Sequence, residues 1–346
     1  MTILLITADF DPHLPRILAA LRHRRAQSAF LNMNHVYRMG ITLRLGRDHP
    51  TTGYLKTTDG PLPLDDIRAV WAPSPWPMAP IPGMARRGRL VVMSEWLAAL
   101  RNLYFLTRDR FWANPIDAEM QVSARIYQME LAKEVGFDIP ATLVTTDRQE
   151  FREFVAGAPE GAAGKRLGDL VLLRTEPRRG RHPTTLYTRH LTAETLSEKE
   201  LRSINLCPCH LEEYVPKSTE LRVYVLGSRT YAAEILSQED PQTRIDWRKY
   251  PSRRAAGGRL EIDRARWRTR RARIPTELQA RVLTLARRLR LQYTAVDLIK
   301  TPDGRYVFLE ANFGGIYAWI EDFTHLPISA GIADMLVRGA NGPRSS

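Results

Sequence analysis

The chain has 346 residues, long enough for two to three domains with a sizeable core, and its 44% hydrophobic content is ordinary for a globular enzyme. No apolar run reaches the roughly 18 residues that a membrane-spanning helix needs, so no span is expected. The net charge of +13, from 51 Lys and Arg against 38 Asp and Glu, calls for an anionic partner such as nucleic acid, phosphate or an acidic peptide, or else reflects a general preference for arginine over lysine.

The N-terminal stretch TILLIT reads as a first strand, and the absence of a basic leader argues against a signal peptide. LPRILAALRHRR follows as an amphipathic helix, QSAFLNM and DIRAVWAPSP as strands, PSPWPMAPIPG as a proline-rich loop, and SEWLAALRNLYFLT as a helix. This alternation predicts a small α/β layer. DAEMQVSARIYQMELAKEVG predicts one helix ending at Gly136 as its C-cap. IPATLVTT, GDLVLLRT and TLYTRHL read as strands, with DRQEFREFV as a helix between the first two. Cys207 and Cys209 in CPCH make a poor zinc signature even with His210, and are expected to be reduced structural thiols in a cytoplasmic protein. Arginine is dense over residues 244–273, and the overlapping stretch EDPQTRIDWRKYPSRRAAGG reads as a long irregular loop of the sort that carries function.

The hairpin near the C-terminus poses the sharpest question. YTAVDLIKTPDG and RYVFLEANFGG are apolar strands around a Pro-Asp-Gly turn, yet the second contains Glu310 and Asn312. Residues two apart on a strand share a face. A two- or four-residue loop pairs Asp297 with Phe308 and brings Asp297 onto that same face, whereas a three-residue loop flips it. Three oxygen donors so placed suit Mg²⁺, which takes one or two carboxylates beside substrate phosphates. The plainer alternative is a hairpin whose polar face meets solvent.

The order LEEYVPKSTELRVYVLG, AAEILSQ, DWR and LQYTAVDLIKTPDGRYVFLEANFGG resembles the ATP-grasp ligases. More narrowly it resembles the ATP-grasp ribosomal peptide maturases that make graspetides, the microviridin ligases among them. The resemblance runs from about residue 112 to 336 and is strongest from 206 on. It implies an α/β (α+β) ATP-grasp fold, with an N-terminal Rossmann-like pre-ATP-grasp domain over 1–112 and a central subdomain over 113–205. A C-terminal subdomain over 206–336 would hold the Mg²⁺ and ATP site, and 337–346 would be a disordered tail.

The implied activity is an ADP-forming ligase that activates a carboxylate as an acyl phosphate and joins it to an amine or alcohol. Asp297, Glu310 and Asn312 would hold Mg²⁺. Arg222 would neutralise a phosphate or the acyl phosphate. Glu212, Glu213, Tyr214 and Val215 resemble the hinge that reads the adenine edge; Lys217 belongs to the same nucleotide segment, and Glu220 matches an acidic residue near the ribose. Arg248 of the DWR triplet would grip an acidic peptide side chain, with Asp246 orienting it or acting as base. An ordinary edge strand at LEEYVPK and a surface salt bridge at DWR are the plainer alternatives.

Several positions depart from the family pattern. Arg125 and Arg174 stand where two phosphate-gripping lysines are expected, Glu212 replaces the hinge glutamine, VWAPSPWP replaces a Trp followed by paired arginines, and ANFGG replaces an asparagine-proline. The implied partner is a precursor peptide with a leader and an acidic core, handled by a homodimer. The competing functions are intermolecular ligation of an amino acid or amine, and a non-catalytic scaffold that binds peptide or nucleic acid. Nucleic acid ranks last, because only Trp247 and Trp267 interleave with the arginines.

Overall fold

The computed structural model describes residues 2–73, 83–165, 188–196, 198–249, 252–254, 260–262 and 267–343. β1 (Thr2–Thr7) is buried along its whole length, as TILLIT demands. Helix α1 (Leu14–His23) turns Leu14, Ile17 and Leu21 inward at three- and four-residue spacing and returns the chain to β2 (Ser28–Asn32), parallel to β1. β3 (Gly40–Gly46), β4 (His49–Thr57) and β5 (Gly60–Pro63) then form a three-stranded antiparallel sheet. β6 (Ile67–Trp71), α2 (Arg86–Leu106) and the short β7 (Phe111–Trp112) complete a parallel layer in the order β2-β1-β6-β7. The α/β layer is as the sequence predicts, although α2 starts at Arg86, ahead of the predicted helix.

The single helix expected over 117–136 is broken. It divides at Ala124, whose ψ of 79° is not helical, into α3 (Ala118–Ser123) and α4 (Arg125–Glu134). Its end is as expected. Gly136 has φ +94°, its N–H donates to Lys133 O and that of Phe137 to Ala132 O, a Schellman motif. β8 (Thr142–Thr145) leads to α5 (Arg148–Gly157), whose first turn is capped by the Asp147 carboxylate. β9 (Ala162–Lys165), β10 (Arg189–Leu191), α6 (Glu198–Ile204) and β11 (Cys209–Glu213) follow, giving an antiparallel sheet ordered β10-β9-β11-β8. The strand expected at GDLVLLRT, and with it Arg174, lies outside the described residues.

β12 (Thr219–Leu226) and β13 (Arg229–Ile235) form a hairpin, followed by the small pair β14 (Ser252–Arg254) and β15 (Leu260–Ile262) and then β16 (Thr269–Ala272). Helix α7 (Thr276–Arg288), β17 (Tyr293–Lys300), β18 (Tyr306–Asn312), α8 (Ala318–Thr324) and α9 (Ile328–Asn341) finish the chain. The antiparallel sheet runs β16-β13-β12-β17-β18. One face, with Leu221, Val223, Val225, Val296 and Leu298, packs on Leu278, Val282 and Leu285 of α7. The other carries Arg222, Tyr224 and Asp297. Helix α9 is buried between the N-terminal layer and this sheet, so Leu5 and Trp71 share one core with Tyr224 and Leu336. It continues to Asn341 with Ala340 buried, so a tail beginning at 337 is too long.

Gly339 on α9 lies against Phe111, and an added Cβ would sit 2.1 Å from its ring. Helix propensity alone favours alanine over glycine by about 1 kcal/mol. The contact predicts the reverse: Gly339→Ala destabilises by about 1–3 kcal/mol, read from the urea unfolding midpoint at unchanged m-value.

Candidate active site

β12, β17 and β18 set the centre of the site. Asp297 does not pair with Phe308 as the turn length suggested; it lies directly opposite Glu310, and Leu298 opposite Phe308. Five residues, 301–305, separate the paired Lys300 and Tyr306, an odd number that by itself would turn Glu310 away from Asp297. A bulge at Leu309 reverses the parity and brings Glu310 and Asn312 back to the face of Asp297. Phe308 goes to the opposite, apolar face.

The three expected metal ligands therefore do converge. Asn312 Nδ2 donates to Asp297 Oδ2 at 3.1 Å. Arg222, directly across from Asp297 on β12, donates from one Nη to both carboxylate oxygens at 3.0 and 2.9 Å. Its Nε donates to Tyr224 Oη at 3.0 Å. Arg125, the first residue of α4, pairs with Glu310. The neighbouring Gln128 accepts from the Ala311 N–H at 2.8 Å and donates to the Ala311 carbonyl at 3.0 Å, fixing α4 to β18 between Glu310 and Asn312.

Two carboxylates abreast on neighbouring strands repel each other. Burial, then Glu310 and Glu220, push the Asp297 carboxyl up to about 7, against the pull of Arg222 and Arg248. Burial acts on Glu310 too, but Arg125 first, then Lys165, Arg248 and Arg222, outweigh it and hold that carboxyl down at about 2. A divalent cation between them would remove the repulsion. The donor set of two carboxylates and an amide oxygen fits Mg²⁺, and the arginines supply the positive surroundings that polyphosphate oxygens require.

The facing sheet supplies a second group. Glu212 is 1% exposed and accepts from the Lys165 ammonium at the end of β9. Lys165 escaped the sequence reading, which looked for the phosphate lysines at Arg125 and Arg174. Its signal was a lysine closing the short strand AAGK, ahead of a glycine-containing run. The Glu213 and Tyr214 N–H groups donate to Ala141 O at 2.8 Å and Gly161 O at 2.9 Å, holding this segment against the residues that lead into β8 and β9, with Val215 half-buried beside them. Lys217 donates to Glu220 Oε1 at 2.7 Å and to Ile245 O at 3.3 Å. Glu220 is thus paired with Lys217, not with Arg222.

Asp246 and Arg248 form a closed unit. Arg248 Nε and Nη2 donate to the two Asp246 oxygens at 2.8 and 2.6 Å, and the Arg248 and Thr188 N–H groups add 3.0 and 2.8 Å contacts. Asp246 is buried, while Arg248 remains 44% exposed. Burial raises the Asp246 carboxyl, but Arg248 and the Thr188 amide prevail and hold it at about 2. A carboxylate so weakly basic orients an arginine well and takes protons poorly at neutral pH, so the geometry favours the first of its two expected roles. Trp247, between them, lies 5.7 Å beneath the Arg222 guanidinium and 5.0 Å from Trp319, which stacks on Trp267 at 4.3 Å. Cys207 and Cys209 are free thiols, and among the described residues no His, Cys, Asp and Glu cluster of zinc type is present.

The chain matches no protein-family model and no curated protein. Its solved neighbours are close in shape. The macrocyclase MdnC from Microcystis aeruginosa MRC, solved with its precursor peptide MdnA, matches at TM-score 0.80 and 24% identity, covering 98% of this chain and 100% of that one. A RiPP-associated ATP-grasp ligase from Chryseobacterium gregarium, solved with ADP and a leader and core peptide, matches at TM-score 0.81 and 23% identity over 99% and 98%. The macrocyclase MdnB, also from Microcystis aeruginosa MRC, matches at 0.72 and 25% over 97% and 99%. The fold of this chain is that of the ATP-grasp ligases, end to end.

The depressed Asp246 carboxyl predicts a pH signature. Its ion pair stabilises the protein fully above about pH 4, the unfolded value, and the contribution disappears as pH falls through about 2. Asp246→Asn is therefore expected to lose roughly 2 kcal/mol relative to the parent at pH 7, with the gap closing between about pH 4 and 2 in urea unfolding curves.

Proposed function

We propose that this chain is an ATP-dependent ligase that joins side-chain carboxylates to side-chain amines or hydroxyls within a ribosomally made precursor peptide. The observation that carries the reading is the adjacent pair of buried Asp297 and half-buried Glu310, flanked by Arg222 and Arg125. It sits in a fold shared along its length with peptide macrocyclases. Mg²⁺ and ATP, when bound, supply the phosphoryl group that turns a peptide carboxylate into an acyl phosphate with loss of ADP. Attack by an amine or hydroxyl then expels phosphate and leaves an amide or ester, one water lighter per ring. PsnB, a neighbour of the same fold, has been solved with minimal precursor, Mg and ADP.

The residues of the chain divide this work. Asp297, Glu310 and Asn312 would hold the cation. Lys165, Arg125 and Arg222 would surround the polyphosphate and the acyl phosphate with fixed positive charge, the main requirement of phosphoryl transfer. Glu212 would orient Lys165, and the segment Glu213–Tyr214–Val215 would face the adenine, with Lys217 and Glu220 near the ribose. Arg248, held by Asp246, would take an acidic side chain of the peptide by its exposed edge. Arg174 keeps its expected place among the phosphate ligands as a proposal. A peptide with a leader and an acidic core is the substrate that the exposed edge of Arg248 suits, and homodimeric assembly and a cytoplasmic setting, with its ATP supply, fit the same reading. No helix among the described residues is long and apolar enough to cross a membrane.

The test is the intact mass of a short acidic precursor peptide encoded beside the gene, incubated with the protein, ATP and Mg²⁺ while ADP release is followed. Loss of one or more waters matched by ADP, and absent with Glu310→Ala, is the expected result. A mass gain would point to intermolecular ligation instead. Unchanged mass and no ADP from a peptide shown to bind would overturn the enzyme reading. A second expectation concerns the missed lysine: Lys165→Ala weakens ATP-analogue binding about 10- to 100-fold in calorimetry, as loss of one desolvated charge-assisted contact implies, and Lys165→Arg recovers part of it.

A further inference from the structure

The turn after the metal strand is held at successive peptides by side chains from other parts of the chain. Asn114 Nδ2 donates to the Phe313 carbonyl at 2.7 Å. Tyr293 Oη donates to the Gly315 carbonyl. Tyr224 Oη donates to the Ile316 carbonyl at 2.8 Å. The Tyr317 N–H donates to His13 Nε2 at 3.0 Å. Two glycines permit the close approach: a Cβ on Gly314 would lie 2.1 Å from Pro73 O, and one on Gly315 would lie 2.7 Å from the Ala295 Cβ. ANFGG is therefore the sequence this turn requires.

His13 belongs to the N-terminal layer and is 6% exposed. With Nε2 accepting from Tyr317, its proton lies on Nδ1, which faces Asp11 Oδ1 at 2.5 Å. Asp11 in turn accepts from the His13 N–H at 2.9 Å and from Thr7 Oγ1 at 2.6 Å. The His13 ring lies 4.4 Å from the Tyr317 ring. From the turn the chain of contacts continues inward, because the hydroxyl that holds Ile316 O also receives the Arg222 Nε–H at 3.0 Å, and Arg222 holds Asp297.

We infer that His13 is a positioning residue for Arg222, acting from the N-terminal layer through the Gly314–Tyr317 turn and the Tyr224 hydroxyl. The inference deepens the proposed ligase reading and rests on it for its consequence. Arg222 has one Nη engaged by Asp297, and the Tyr224 hydroxyl fixes the plane of the guanidinium through Nε. Tyr224 can serve only while Ile316 O stays in place, and the peptide after Ile316 is the one His13 holds. Partners of this outer kind set the orientation of the groups that touch a metal or phosphate, and their loss typically costs 10- to 100-fold in activity.

The experiment compares His13→Ala, His13→Gln, Tyr224→Phe and the His13→Ala/Tyr224→Phe double variant, in full-length protein. Expected are a fall in kcat for ADP formation of about 10- to 100-fold in His13→Ala and in Tyr224→Phe, with KM for ATP moved less than about threefold. The double variant is expected to be about as slow as the slower single one, because both break one chain. His13→Gln, which keeps an acceptor toward Tyr317, restores most of the loss. Losses that multiply, or a His13→Ala turnover within about twofold of the parent, would overturn the inference. A readout without turnover separates it from the ligase reading: the Arg222 Nε–H signal in NMR exchanges slowly with water in the parent and quickly in His13→Ala. Equal exchange in the two sinks the inference even if the ligase is confirmed. Faster exchange in a protein that makes no ADP sustains the coupling while the ligase reading falls.

Discussion

Two carboxylates set side by side on adjacent strands, one buried and the other half-buried, form the constraint on which the rest of the structure depends. Alone they would repel and protonate. Arg222 reaches Asp297 from one neighbouring strand, and Arg125 reaches Glu310 from a helix. A cation at the first residue of a helix opposes the helix dipole, so Arg125 does not serve α4. Its position follows from Glu310, and the break at Ala124 lets α4 start where that contact is made. The bulge at Leu309 belongs to the same arrangement, since without it the carboxylates would lie on opposite faces. Gln128 then fixes the distance between helix and strand through the peptide of Ala311, between Glu310 and Asn312.

What the sequence revealed, and what it hid, follows from the range of the forces involved. Strand alternation placed Glu310 and Asn312 together correctly, because that periodicity is local. The cross-strand partner of Asp297 was misassigned because loop length and bulge each shift the register by one, and neither is written in the hydrophobic pattern. The strands β3 to β5 were passed over although GITLRLG alternates Ile41, Leu43 and Leu45 with Thr42 and Arg44; the signal is short and weak, since Ile41 and Leu43 are only half-buried against the core and Leu45 is exposed. The break at Ala124 was equally silent, since every residue from Asp117 to Glu134 is compatible with a helix and the tertiary contact at Arg125 decides otherwise. Lys165 was passed over because a four-residue strand with a small-residue run carries almost no periodic signal, whereas the long apolar strands around Arg222 and Asp297 carry a strong one.

The N-terminal layer and the C-terminal sheet are one packed body and not two domains on a linker. Helix α9 carries the join, with Ile328, Ile332 and Leu336 wholly buried in a core that also holds Ile17, Trp71 and Tyr224. Burial on this scale between lobes suppresses the relative motion that is the default for small polar interfaces. The polar contacts follow the same boundary: Asn114 ties the end of β7 to both Tyr293 and Phe313, and its own carbonyl oxygen receives the Gln292 and Tyr293 N–H groups. All the polar atoms of that buried side chain are used, which is the condition under which a buried amide specifies a single arrangement.

This boundary also bears on the charge of +13. Many of the arginines are not displayed toward an anionic partner. Arg16 reaches Asp322 at 2.7 Å and Glu321 at 3.3 Å, Arg24 reaches Asp334 at 2.6 Å, and Arg290 reaches Asp117 at 2.9 Å, each across a joint between elements distant in sequence. Arg110 is buried and donates to the Ile67 carbonyl at 3.1 Å. Single exposed pairs of this kind contribute little, whereas buried Arg110 satisfies a backbone carbonyl that water does not reach. Net charge is therefore a poor guide to the ligand in this chain. What distinguishes the site is the placement of a few cations: Arg125, Arg222, Lys165 and Arg248 all act electrostatically on the single carboxylate of Glu310. Of the four, only Arg125 touches Glu310; Arg222, Lys165 and Arg248 are each held in place by a carboxylate of their own, Asp297, Glu212 and Asp246, so the site is a set of cations fixed in advance and not a mobile excess of charge.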